Sequence, residues 1–213
     1  MIIVLYILLR VFYPGSLFFV RYESLFKTHS EEEWICVKAT KGVTLHERWV
    51  SVNDSLSVRE RKGEFVATCN ITKVQNFLSS HLTVDKWMKN IRVTEFNRGG
   101  SSLFHFLIDL PWPFNNRDFI GKYSVYNLDQ NNSIIKIESV DYAMDKVTGV
   151  VRMKSYRATW ELIKINDSRT KIVFTTFSEE PPMFPQWIQE PVIKKVFMGN
   201  LVRLKELLSG KIG

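Results

Sequence analysis

The sequence predicts an α+β domain in which a curved antiparallel sheet wraps around a long C-terminal helix. Three observations carry this expectation. About nine short stretches of alternating apolar and polar residues, separated by turn residues, read as strands. Two short helical segments interrupt them after the third, and the chain ends in one amphipathic segment of roughly five turns or more. A single helix covers only one face of such a sheet, and a sheet that curls around it leaves a space between the layers.

Residues 1–20 read MIIVLYILLRVFYPGSLFFV and are far more apolar than the rest of the chain, with only Arg10 charged. The apolar stretch of a secretory signal is present without the basic start or the small-residue cleavage site. As a membrane span the run is interrupted by Arg10 and by Pro14-Gly15. The expectation is an export signal or a membrane anchor, which would make the protein exported or membrane-associated. A misplaced start codon or an extra packing helix is the alternative and would leave it cytoplasmic. Residues 21–30 form a polar spacer and residues 31–213 the folded domain.

From Trp34 the stretches WICVKAT, VTLHERWVSV and SLSVRERKGEFVAT are three strands, with Lys41-Gly42 and Asn53-Asp54 as turns. Asn70 then caps a helix carrying Val74, Phe77 and Leu78 at helical spacing, and Thr83 opens a second short helix through Trp87. Six further strands come next: IRVTEFNRG, SLFHFLIDL, RDFIGKYSVYNL, SIIKIESVDY, VVRMKSYRATWELIKI and TKIVFTTFS. Between the first two of these, Asn97-Arg98-Gly99-Gly100 reads as a hairpin turn. The last segment, Pro185 to Lys211, places Ile193, Phe197, Leu201, Leu204 and Leu208 at spacings of 4, 4, 3 and 4. Alternation puts Phe104, Phe106 and Ile108 on one face, opposite His105 and Asp109. It likewise groups Phe119, Gly121, Tyr123 and Val125, and separately Ile172, Phe174 and Thr176. One wall of the sheet is therefore mostly aromatic and branched aliphatic.

Composition bounds the function classes. With 213 residues, 45% hydrophobic, 24% charged and 13% aromatic, the chain is one globular domain, which excludes disorder, collagen and a coiled coil. The net charge of +7 (29 minus 22) allows an anionic partner, either nucleic acid or a membrane surface. Basic residues interleaved with exposed aromatics on one surface are not visible, so no nucleic-acid partner is expected. The run Arg59-Glu60-Arg61-Lys62 has mixed sign and reads as a solvated face. Cys36 and Cys69 have no metal-ligand spacing and read as two reduced thiols, with one bridge open if the protein is exported. The four histidines are scattered, so no metal is expected. There is no GxSxG, no GxGxxG opening a helix and no phosphate-binding Walker pattern, so no catalytic nucleophile and no cofactor is expected.

The most unusual stretch is PWPFNNRDF, residues 111–119. Two prolines fix a kinked connection, Asn115-Asn116 supplies a turn, and Arg117 and Asp118 can satisfy one another or nearby backbone groups. This corner is followed by Gly149-Val-Val-Arg152 with Trp160, is preceded by Trp87, and leads to Phe184-Pro185-x-Trp187 opening the last helix. Together these motifs resemble the START family of StAR-related lipid-transfer domains over about residues 34–208, and look most like its bacterial single-domain members.

The resemblance implies the helix-grip fold and a non-catalytic, monomeric carrier that holds one lipid or sterol-like molecule in a closed apolar tunnel between sheet and helix. The residues implied to line that tunnel are Phe104, Phe106, Trp112, Phe119, Tyr123, Tyr156, Phe174, Trp187 and Phe197. Phe104 and Tyr123 stand about where some sterol-binding members carry a buried acid and an arginine. That departure implies an apolar ligand with at most one hydroxyl partner, Tyr123 or Tyr156. Glu179-Glu180-Pro181-Pro182-Met183 replaces the family's frequent Asp-Pro-x-Gly turn, and the loop from Ser178 to Pro185 with the helix start is the expected gate. Lys194, Lys195 and Lys205, if exposed, would draw the domain to an anionic membrane surface. The alternatives are a helix-grip enzyme of the polyketide cyclase or hydrolase type, with Asp109, Arg152 or Tyr156 in the cavity, and a non-binding envelope-associated scaffold.

Overall fold

A computed structural model describes residues 33–179 and 184–212. The expected signal or anchor (1–20), the spacer (21–30) and most of the expected gate (180–183) lie outside the described residues. Strand β1 (Ile35–Thr40) turns into β2 (Val43–Asn53) at Lys41-Gly42, where both residues take positive φ, 49° and 68°. That pair of left-handed residues gives a turn whose twist matches the flanking strands. β3 (Leu56–Ala67) completes the first sheet segment, and α1 (Ile71–Ser79) begins where the Asn70 side chain accepts a hydrogen bond from the Lys73 amide at 2.8 Å. A 3₁₀ turn (His81–Thr83) and the short α2 (Val84–Trp87) lead into β4 (Ile91–Arg98). Gly99 and Gly100, at φ 57° and 80°, make the hairpin to β5 (Ser101–Ile108). β6 (Asn116–Asn127), β7 (Asn132–Ser139), β8 (Val150–Arg152), β9 (Tyr156–Asn166), β10 (Arg169–Ser178) and α3 (Gln186–Leu208) complete the order.

The strands form one sheet in the order β1-β2-β3-β10-β9-β7-β6-β5-β4, antiparallel throughout, with β8 added in parallel beside β6. The architecture is the predicted one: an open antiparallel sheet with a long C-terminal helix. Among the described residues ten strands replace the nine expected, because the stretch from Val150 to Ile165 is broken at residues 153–155. Ser139 makes the break: its hydroxyl donates to the Lys154 carbonyl at 2.8 Å and accepts from the Tyr156 amide at 2.9 Å. A side chain that satisfies backbone groups in this way competes with the sheet ladder, and alternation does not register it. The same bend ends β7 at Ser139, three residues earlier than the alternation suggested.

α3 lies directly against the sheet at Gly63. A Cβ built there would stand 2.1 Å from Leu201 Cδ1 and 3.2 Å from Phe197 Cε1, so only glycine admits the helix at this distance. The C-terminal half of α3 is packed: Met198, Leu201, Leu204 and Leu208 are buried with Val43, Leu45, Phe65, Ala67 and Leu78. A column of aromatic rings continues beneath it, Trp87 edge-on to Trp160 at 5.5 Å, Trp160 stacked on Phe174 at 3.9 Å, and Phe174 on Phe197 at 5.6 Å. A second buried cluster under β4–β6 holds Ile91, Phe104, Phe106, Phe119 and Met153.

Candidate functional site

Beyond Gly63 the sheet and helix part. Between the sheet and the N-terminal half of α3 is a cavity of about 240 Å³. Its helix wall is Gln189, Val192, Ile193, Val196 and Phe197; its sheet wall runs from Ser57, Arg59 and Arg61 on β3, through Thr176 and Ser178 on β10 and Tyr156 on β9, to Ile108 and Arg117. The turn residues Leu110 and Phe114 close one side. Of the nine residues expected to line a tunnel, Tyr156 and Phe197 face this cavity. Phe104, Phe106, Phe119, Tyr123 and Phe174 are brought together in the two core clusters beside it, with Phe106 stacked on Phe119 at 4.4 Å and Phe104 edge-on to Tyr123 at 5.0 Å. Trp112 and Trp187 stand on the surface, 93% and 77% exposed. The segments that carry them meet where Phe114 packs edge-on to Phe184 at 5.0 Å.

Two charged clusters sit at or near the site. The first contradicts the reading of residues 59–62 as a solvated face. Glu47 on β2, 1% exposed, accepts from Arg59 Nη1, Arg61 Nε and Lys194 Nζ, each at 3.0 Å. Arg61 Nη2 also reaches both oxygens of Glu190 on α3, at 2.9 and 2.8 Å. The cause is the period of two: β2 and β3 turn Val43, Leu45, Glu47 and Trp49, and Arg59, Arg61, Gly63, Phe65 and Ala67, to one face, so the charges occupy inward positions. Arg59 is further fixed by its guanidinium lying 4.3 Å over the Trp49 ring. Lys194 is thus engaged with carboxylates, and Lys205 donates to the Lys41 and Gly42 carbonyls at 2.8 and 3.1 Å. Lys195 remains exposed.

The second cluster lies on the opposite face of β5 and β6. Asp118, 1% exposed, takes Arg152 in a two-pronged pair (Nε to Oδ1 2.7 Å, Nη2 to Oδ2 2.8 Å) and His105 Nε2 at 2.9 Å. So Asp118 is satisfied by Arg152 and His105 and not by its neighbour Arg117. Burial pushes the Asp118 carboxyl up, but the hydrogen bonds and charges of Arg152 and His105 outweigh it and hold it below the usual carboxylate range. Arg152 also reaches the carbonyls of Met144 and Asp145 at 3.5 Å, tying down the segment after β7. Within the cavity wall, burial raises the Tyr156 phenol although its hydrogen bond to Thr176 opposes the shift; burial also raises Tyr123, with Tyr156 adding to it. Both phenols stay neutral at physiological pH.

No family model matches the chain, and no curated protein matches it. Solved structures do. A STAR-related lipid transfer protein from Xanthomonas axonopodis superposes with a TM-score of 0.69 at 18% identity, covering 83% of this chain and 99% of that one. Human StAR-related lipid transfer protein 5 gives 0.69 at 12% identity over 84% and 86%. An aromatase/cyclase from Streptomyces sp. R1128 gives 0.50 at 12% identity over 72% and 92%. The chain folds as a START-like domain. In this START-like domain the cavity under the helix start combines an apolar helix face with Arg59, Arg61 and Glu190 of the charged cluster, which the aromatic residue set implied by the resemblance left out. Carrying the alternation of β3 from Phe65 back through Gly63 into the charge run would have found Arg61 and Arg59. No signal within β3 indicates Glu190 as their partner, since it comes from a helix more than a hundred positions away.

Proposed function

We propose that this START-like domain is a carrier that takes one lipid or other apolar small molecule into the cavity beneath α3 and performs no chemistry on it. The cavity carries the reading. Protein interiors are close-packed, yet here about 240 Å³ stays open against the apolar face of Val192, Ile193, Val196 and Phe197. A water molecule's share of the liquid is about 30 Å³, so the space suits one alkyl chain or one arm of a larger lipid. Each methylene leaving water gains about 0.8 kcal/mol, which makes a chain of this kind a favourable occupant. The names of the similar structures include lipid-transfer proteins and an aromatase/cyclase. Of Asp109, Arg152 and Tyr156, any of which the cyclase or hydrolase reading offers for the cavity, Tyr156 lines it. Asp109 is held by Arg92 and Asn116, and Arg152 by Asp118.

Exchange of such a ligand requires a membrane, and the exposed indoles of Trp112 and Trp187 favour the end where the 111–114 turn meets the helix start. Indoles settle at the headgroup level of bilayers, and the exposed Lys195 adds attraction for an anionic surface. The test is native mass spectrometry of the gently purified full chain, followed by organic extraction. A stoichiometric apolar adduct is expected. Ligand-free protein in every preparation, with a melting temperature unmoved by fatty acids, phospholipids and sterols, would overturn the reading.

A further inference from the structure

We infer that the molecule carried is an anionic amphiphile whose acidic head lies against Arg59 and Arg61; this rests on the carrier reading and specifies its ligand. The resemblance implied an apolar molecule with at most one hydroxyl partner, but the β3 wall of the cavity is charged. Three cations, Arg59, Arg61 and Lys194, share two carboxylates, Glu47 and Glu190, so the cluster holds an excess of one positive charge (3 minus 2). Its members are far from full exposure: the side chains of Arg59, Arg61 and Lys194 are 24%, 13% and 27% accessible. A surplus charge kept partly out of water favours a counter-charge at the same place.

Two buried atoms on residues that line the cavity lack partners. Arg59 Nε has no hydrogen-bond acceptor, its nearest carboxylate oxygen being that of Glu190 at 3.8 Å. The side chain of Gln189, 7% exposed and one residue from Glu190, leaves Oε1 without a donor. An ionised oxygen head satisfies both: it accepts from Arg59 Nε and, with the Gln189 amide turned to present its NH2, from Gln189 Nε2. Arg59 is held by Glu47 and by the Trp49 ring before any ligand arrives, so its donor is already oriented. From this head position the tail runs along Val192, Ile193 and Val196.

Four ten-carbon probes that differ only in the head group test this on the full chain at pH 8: decanoate, decyl phosphate, decanol and decyltrimethylammonium. Affinity is read by displacement of the neutral fluorophore N-phenyl-1-naphthylamine. Decanoate and decyl phosphate are expected to bind about tenfold more tightly than decanol, the worth of one charge-assisted hydrogen bond, and the cation most weakly. Arg59→Gln should weaken both acids about tenfold more than it weakens decanol, with folding checked by far-ultraviolet circular dichroism. Should that variant not fold, the head-group series on the unmodified chain decides the matter alone. Equal binding of decanoate and decanol, or a preference for the cation, overturns the head-group site and leaves the carrier standing. Binding of none of the four overturns both.

Discussion

Replacing Gly63 by alanine tests the place where helix and sheet touch. Gly63 pairs with Leu45 on β2 and with Phe174 on β10 in extended backbone. Loss of unfolded-state freedom would by itself stabilise an alanine there by about 0.4–1 kcal/mol. The contact decides otherwise, because the new Cβ meets Leu201 Cδ1 at 2.1 Å and Phe197 Cε1 at 3.2 Å. Leu201 is 1% exposed and must shift within a packed core, so overpacking of about 1–3 kcal/mol applies. The net is a destabilisation of about 1–2 kcal/mol. For a domain of this size that is a fall in Tm of about 2–8 °C, measured by far-ultraviolet circular dichroism. Leu201→Ala should relieve the clash, so the double variant is expected to lie about 1 kcal/mol above the sum of the two single effects. An unchanged or raised Tm in Gly63→Ala, or strict additivity in the pair, would show that α3 does not rest on β3 at this point.

Four further outcomes are expected. Glu47→Ala leaves Arg59, Arg61 and Lys194 around a single remaining carboxylate and should cost about 3–5 kcal/mol in urea unfolding, far more than the same change at an exposed glutamate. Asp118→Ala should cost a similar amount and expose the segment around Met144 and Asp145 to limited proteolysis, because Arg152 loses the anchor from which it reaches their carbonyls. The pH dependence at Asp118 has a definite sign. Its folded pKa lies below the ordinary unfolded value near 3.9, so its contribution is complete above that pH and disappears as the pH falls through the folded pKa; Asp118→Ala should show a shallower loss of stability on acidification than the unmodified chain. Finally, Trp112→Ala with Trp187→Ala should weaken cosedimentation with anionic vesicles severalfold while shifting Tm by less than about 2 °C, since both indoles are exposed; an unchanged vesicle-bound fraction would remove this end as the membrane-facing surface.

Much of the fold was legible because it rests on short-range chemistry. Asn70 capping α1, the Gly99-Gly100 hairpin and the apolar stripe Leu201, Leu204 and Leu208 are each fixed by residues within a turn or two of one another. The break between β8 and β9 was not legible, because it depends on one hydroxyl, Ser139, whose partners lie fifteen and more residues away. The site was harder for the same reason. Alternation correctly assigns Phe104, Phe106 and Phe119 to the inward face but says nothing of whether the space in front of them is filled; here their own rings fill it. The resemblance implies Trp112 and Trp187 as tunnel residues, yet a proline-flanked turn and the first turn of a helix put them on the surface.

The division of α3 into a packed half and an open half originates in β3 itself. Going one way from Gly63 along the inward face, the strand offers Phe65 and Ala67, and the helix answers with Leu201, Leu204 and Leu208; apolar surfaces meet and exclude water. Going the other way it offers Arg61 and Arg59, whose hydrogen bonds to Glu47 and Glu190 would be lost if the helix collapsed onto them. Leaving those groups unpaired would cost about 3–5 kcal/mol, which opposes that collapse. The charged cluster therefore acts as a spacer as well as a wall. It keeps the helix start from packing down, and in doing so it preserves an apolar surface on Val192, Ile193, Val196 and Phe197 that a ligand's tail can cover.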